Sequence, residues 1–202
     1  MNEKEIKDRI LAKSEVMFLQ FGYSKVTMEE IAANLGISKK TLYKFFPSKE
    51  GLVHYIIENM KCGVDEYIDE LWNDSSLDFV KRLKKLMDFF AKQSSKLQGP
   101  LLNDLQKSIP GIWKEINEFR KKSTLKKMTL LINEGIEKGI FRKDINQQII
   151  LLMYLNTIQG IINPETLSQL PLSGDQAFEI IIKIMFEGIF TEEGREKYIS
   201  YK

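Results

Sequence analysis

One cysteine and one histidine leave this 202-residue chain little reactive side-chain chemistry. Cys62 alone cannot close an intrachain disulfide or build a Cys-based zinc site, and His54 alone cannot build a His-rich metal site. The sequence contains no P-loop, GxGxxG, GxSxG, HExxH or CxxC pattern, so the usual signatures of nucleotide, nucleophilic and metalloprotease chemistry are missing. No cofactor or metal is expected, and an enzyme acting through paired carboxylates stands only as an alternative.

Long apolar runs are missing too. The longest, Ile149 to Leu155, spans seven residues, far short of a membrane crossing. The start, MNEKEIKDRI, mixes acids with bases and has no apolar core of signal-peptide type. A cytoplasmic protein without a membrane role is expected. Hydrophobic residues make up 43% and charged residues 29%, a composition that builds a packed core. Net charge is only +2, so any nucleic-acid role must rest on local charge, and a non-specific architectural DNA binder would be far more basic.

Prolines and glycines are few, five and twelve, and they separate long stretches of helical periodicity. Strand-like alternation is absent at useful length. An all-α fold of about nine helices follows. Residues 5–21 form the first and Gly22 stops it. Thr27 and Glu30 form a capping-box pair opening a second helix that Gly36 ends. Ser38 caps a short third helix, and Pro47 and Ser48 lead into a fourth that reads through Met60. Further helices are expected over Leu77–Leu97, Gln98–Lys107, Pro110–Lys138 (closed by Gly139), Asn146–Ile162 and Asp175–Phe190.

Residues 28–47 have the outline of a helix-turn-helix. Such a unit needs a small residue where two helices meet, a glycine in the turn and a branched apolar residue locking the second helix. Ala32, Gly36 and Leu42 occupy those positions. Ile31, Leu35, Ile37, Phe45 and Phe46 supply the underside, with Phe18 and Phe21 as a lid. From Ser38 to Lys49 there are four lysines, at 39, 40, 44 and 49, and no acid. Lysines and hydroxyls bind phosphate oxygens, and the first turn of a recognition helix reaches base edges. The same spacing also suits a helical hairpin with a solvated lysine face.

The stretch FGYSKVTMEEIAANLGISKKTLYKFFPSKEGLVHYII, residues 21–57, closely resembles the signature of the TetR family of transcription regulators. The resemblance is ungapped and covers about the first 60 residues. It implies a helix-turn-helix DNA-binding domain over 1–60, with the fourth helix as connector from 48, and a C-terminal effector-binding and dimerisation domain over 61–202. The implied function is sequence-specific transcription regulation, as a repressor released from a palindromic operator by a small, largely apolar inducer. Implied DNA contacts are Thr27, Ser38, Lys39, Lys40, Thr41, Tyr43 and Lys44, with Lys49 on a phosphate. Lys40 and Lys44-Phe45 depart from the family's commoner residues, which points to an operator of its own.

For the homodimer the resemblance implies pairing through the last two helices. Both are strongly apolar, which suits either an interface or an ordinary core. Ile150, Tyr154, Ile158, Ile161, Ile181, Ile184, Met185 and Ile189 are the candidate contacts. Phe90, Trp113, Phe119, Met128, Tyr154 and Asn156 are candidate pocket residues, with Asn103 as a further polar anchor, although core packing also accounts for the aromatics. Arg120, Lys121, Lys122, Lys126 and Lys127 read as a solvated basic face, His54 as a surface or packing residue, and Cys62 as inert.

Overall fold

The computed structural model describes residues 2–96 and 100–200, without the side chains of 94–96, 103 and 164. These residues form eleven helices and no named strand. The expected helix end at Leu97 and helix start at Gln98 lie outside the described residues.

Local capping sets the helix starts. Asn2 and Glu5 form a capping box on α1 (Glu3–Phe21), and Thr27 and Glu30 form one on α2 (Met28–Leu35). Ser38 caps α3 (Lys39–Phe45). The Ser48 hydroxyl accepts the Gly51 amide at 3.0 Å and opens α4 (Lys49–Asn73). That helix runs thirteen residues beyond Met60, the last inward residue expected. Next come α5 (Phe79–Lys96), α6 (Pro100–Ser108) and α7 (Pro110–Glu137), the last two opening on proline. Asn146 caps α8 (Gln147–Ile161), the four-residue α9 (Pro164–Leu167) follows, and Ser173 begins α10 (Gly174–Ile189). The chain ends in α11 (Glu192–Ser200). The count exceeds nine because of α9, which is one turn, and α11, whose EEGREKYIS offers little apolar periodicity.

The chain divides into two compact units, residues 1–66 with 99–117 and residues 67–98 with 118–202. In the first, α1 lies against α2 and α6, and Asp104 of α6 accepts the Ser24 amide at 2.8 Å. Its core holds Ile10, Phe18, Ile31, Leu42, Leu52, Ile56, Leu101 and Leu105. Phe18 is the wholly buried lid that was expected; Phe21 stands half exposed, because it closes α1 on the side away from that core.

In the second unit, α10 packs on α5 and α8. The turn after α7 enters this core: Phe141 lies edge-on to Phe79 at 5.6 Å and close to Phe186 and Phe190. Two backbone hydrogen bonds, Arg142 N–H to Ile189 and Thr191 N–H to Ile140, tie the turn to the end of α10. One ion pair is shielded. Arg82 of α5 donates to Glu134 of α7, both part-buried, and Lys138 stands 3.7 Å from the same carboxylate. Arg82→Met removes the nearer donor and should lower stability by about 1–3 kcal/mol, the range for a hydrogen bond to a charged group. Urea denaturation measures it; an unchanged midpoint and slope would show that Lys138 suffices.

Candidate nucleic-acid interface

Three short segments build this surface. Thr27 ends an extended stretch and accepts the Glu30 amide at 3.2 Å, while Glu30 accepts the Thr27 amide at 2.8 Å. The hydrogen bonds that the Thr27 amide and hydroxyl donate to it hold the Glu30 carboxyl below its usual value. The α2 helix ends at Gly36 in the left-handed conformation, φ 65 and ψ 31. The Gly36 amide reaches Ala33 and the Ile37 amide reaches Ala32, the paired bonds of a Schellman stop. A side chain at Gly36 would meet nothing, so backbone conformation alone demands glycine here. Ser38 then starts α3: its hydroxyl accepts the Thr41 amide at 3.0 Å and lies 2.9 Å from the Thr41 hydroxyl.

Packing turns α3 outward. Leu42 is its one fully buried residue, and Phe46 is buried at its C-terminal end. Of the expected underside, Ile31 and Phe46 are buried, and Leu35, Ile37 and Phe45 only partly so. Ser38, Lys39, Lys40, Tyr43 and Lys44 are exposed, as is Thr27, and Thr41 is half-buried. Tyr43 leaves 41% of its surface open, unusual for an aromatic residue with no partner to shield it.

The charge differs from its outline in the sequence. Lys39 pairs with Glu29 of α2 at 3.1 Å and Lys44 with Glu3 of α1 at 2.6 Å. Both lysines hold their carboxylate partners below the ordinary range. The stretch 38–49 has no acid of its own but borrows two through the fold. Lys49 is half-buried, its ammonium 4.1 Å from the Tyr23 ring. Burial pulls its pKa down, while Asp104 and Glu30 oppose that shift.

The sequence of residues 10–56 matches the family model of bacterial regulatory proteins, tetR family. This segment contains the whole helix-turn-helix just described. Residues 10–56 are a TetR-family DNA-binding segment. A Bacillus subtilis relative, the uncharacterized HTH-type transcriptional regulator YvaF, is 28% identical over 92% of this chain and 96% of its own. The HTH-type transcriptional repressor KstR2 of Mycolicibacterium smegmatis is 23% identical over 93% and 92%. A TetR-family regulator from Agrobacterium tumefaciens shares the fold, with a TM-score of 0.69 at 21% identity over 94% of this chain and all of that one. TetR-family members are DNA-binding regulators rather than enzymes.

The expected pocket residues scatter. Trp113 belongs to the first unit; Phe90, Phe119, Met128, Tyr154 and Asn156 belong to the second. There Met128 and Tyr154 are buried, Phe90 and Phe119 half-buried, and Asn156 exposed. The side chain of Asn103 lies outside the described residues. Arg120 departs from its lysine neighbours: burial depresses its pKa, whereas Lys121, Lys122 and Lys126 are exposed. Among the expected dimer contacts, Tyr154, Ile181 and Ile189 are covered by their own chain. Ile150, Ile158, Ile161 and Met185 are half-buried, and Ile184 is 69% exposed. The open apolar side chains nearby are Ile149, Leu152 and Met153 of α8 and Ile180 of α10. Helical periodicity showed the apolar positions, but not which of them this chain covers itself.

One group has the makings of a cation site. With Nε2 protonated, His54 donates to Glu115 at 3.1 Å and lies 4.0 Å from Glu58. Glu58 also pairs with Lys61. Ion pairing and hydrogen bonding account for this cluster without a metal.

Gly36→Ala keeps every contact but forces a β-carbon into the left-handed region. It should cost about 1–2 kcal/mol of stability, measured by thermal or chemical unfolding. No loss of stability would mean that the turn relaxes freely.

Proposed function

We propose that this regulator represses transcription as a homodimer, placing one α3 in each half of a palindromic operator. A small, largely apolar effector releases it. In this reading DNA binding belongs to residues 1–60, and effector binding and dimerisation to 61–202, in a protein of the cytoplasm. The observation that carries it is α3 itself, capped by Ser38 and locked by Leu42, with Lys39, Lys40, Tyr43 and Lys44 all turned to solvent. Thr27, Ser38 and Thr41 add hydroxyls beside that face, and Lys49 takes a phosphate at the start of α4. KstR2 is named a repressor, which favours repression over activation here.

Tyr43→Ala should lower affinity for the operator in gel shift without changing the unfolding temperature. Lys40→Ala should lower affinity on all sequences and flatten the salt dependence by about 0.9 for each phosphate it no longer neutralises. Footprinting of upstream DNA should show a protected palindrome. Uniform coating would favour an architectural protein, and no binding at low salt would remove the DNA role altogether.

Dimerisation is placed on the open faces of α8 and α10. Ile149, Leu152, Met153, Ile180 and Ile184 leave large apolar side chains in water. Cover from a second copy fits a reader of two-fold sites, whose half-sites lie about 34–36 Å apart. Ile184→Glu should convert a dimer to a monomer in sedimentation at micromolar concentration. A wild-type monomer, or a variant that still dimerises, would move the interface elsewhere.

A further inference from the structure

A helix from beyond residue 60 packs against the DNA-binding segment. Residues 99–117 fold with residues 1–66 in the first unit. There α6 presents two stripes. Leu101, Leu105 and Ile109 enter the core. The adjacent stripe, Pro100, Asp104 and Ser108, follows the loop from Gly22 to Ser24. At its centre the Ser24 amide donates to the Asp104 carboxylate at 2.8 Å, and the Ser24 and Ser108 hydroxyls lie 3.1 Å apart.

The loop is shaped for that carboxylate. A β-carbon at Gly22 would stand 2.5 Å from Asp104 Oδ2 and 3.3 Å from Pro100 Cβ. A side chain there would push the carboxylate away, so the close approach needs glycine. Shape at Gly22 and hydrogen bonding at Ser24 thus converge on one side chain of α6.

Local chemistry leaves the position of α2 open. The Thr27–Glu30 capping box decides where α2 begins, not where it lies relative to α1. The loop residues from Gly22 to Val26 decide that. Val26 is buried at their far end, and Asp104 holds the near end. Two of the proposed DNA contacts depend on this loop. Thr27 follows Val26 directly, and the Lys49 ammonium rests 4.1 Å from the ring of Tyr23, the residue before Ser24. The charge of Asp104 reaches the same ammonium and favours its protonated form.

We propose that Asp104 is a positioning residue for DNA binding. By holding the Ser24 amide it fixes the loop that leads into Thr27 and supports Lys49, which makes α6 part of the DNA-binding unit. The proposal rests on the DNA-binding reading and extends that site past residue 60.

The full-length protein and two variants test it. Asp104→Asn loses the charge but keeps an oxygen to accept the Ser24 amide. Asp104→Ala loses both, so the difference between the two variants isolates the hydrogen bond from the charge. The probe is a duplex enriched by wild-type protein from a random-sequence pool. Gel shift reads affinity over a range of salt concentrations, at a temperature where circular dichroism shows all three proteins folded. Asp104→Asn should bind at least as tightly as wild type, since the loop is kept and a charge that repels phosphate is gone. Asp104→Ala should bind about fivefold more weakly than Asp104→Asn, the loss expected for one hydrogen bond of ordinary strength. Its salt slope should be shallower by about 0.9 for each Lys49 that no longer meets a phosphate.

Equal affinity of the two folded variants overturns the proposal, because a merely structural hydrogen bond shifts the unfolding temperature and leaves the affinity of folded protein unchanged. An Asp104→Ala protein that does not fold makes the residue structural and overturns it as well. Failure of the wild-type protein to enrich any duplex sinks the DNA-binding reading, and the proposal with it. Equal binding by the two variants sinks the proposal alone.

Discussion

The proposed recognition surface depends on one buried side chain. The α3 helix has seven residues, too few to persist alone in water, because nucleation consumes most of what so short a helix gains. Leu42 is the only residue of α3 that is fully buried, and it reaches a core already formed by Ile10, Phe18, Ile31 and Ala32. Ser38 satisfies the first turn, and the Phe46 amide closes the last on the Leu42 carbonyl at 2.9 Å. With α3 held from a single side, its other faces are free to carry lysine, hydroxyl and aromatic groups. Gly36 matters for the same reason: it sets the angle at which Leu42 enters the core.

The lysines of that surface are partnered before any DNA arrives. Glu29 and Glu3 hold Lys39 and Lys44 in exposed pairs, which contribute little to stability because water and salt screen them. In the proposed operator complex, a phosphate approaching either lysine would replace a carboxylate of similar charge. The free energy of that exchange therefore comes chiefly from counterions released along the duplex, and less from the new contact itself. In that complex the freed Glu29 and Glu3 would carry negative charge beside the site and penalise loosely placed phosphates. Local acids of this kind favour register over raw affinity.

What was legible in the sequence was local. Thr27, Ser38 and Ser48 announced helix starts because a capping side chain acts within three residues of itself. Gly36 and Gly139 announced helix ends because only the backbone at that residue is at issue; both adopt positive φ. The positions of Leu42 and Ile31 followed from helical period. What escaped was every property that needs a neighbour distant in the chain. The pairing of Lys44 with Glu3 crosses forty-one residues, and the hydrogen bond from Ser24 to Asp104 crosses eighty. Both α8 and α10 were strongly apolar in sequence, so the pattern had no means of separating Ile181, which this chain covers, from Ile184, which it leaves open. Arg120 was hidden among Lys121, Lys122, Lys126 and Lys127, because a run of like charges reads as a solvated face whichever member turns inward.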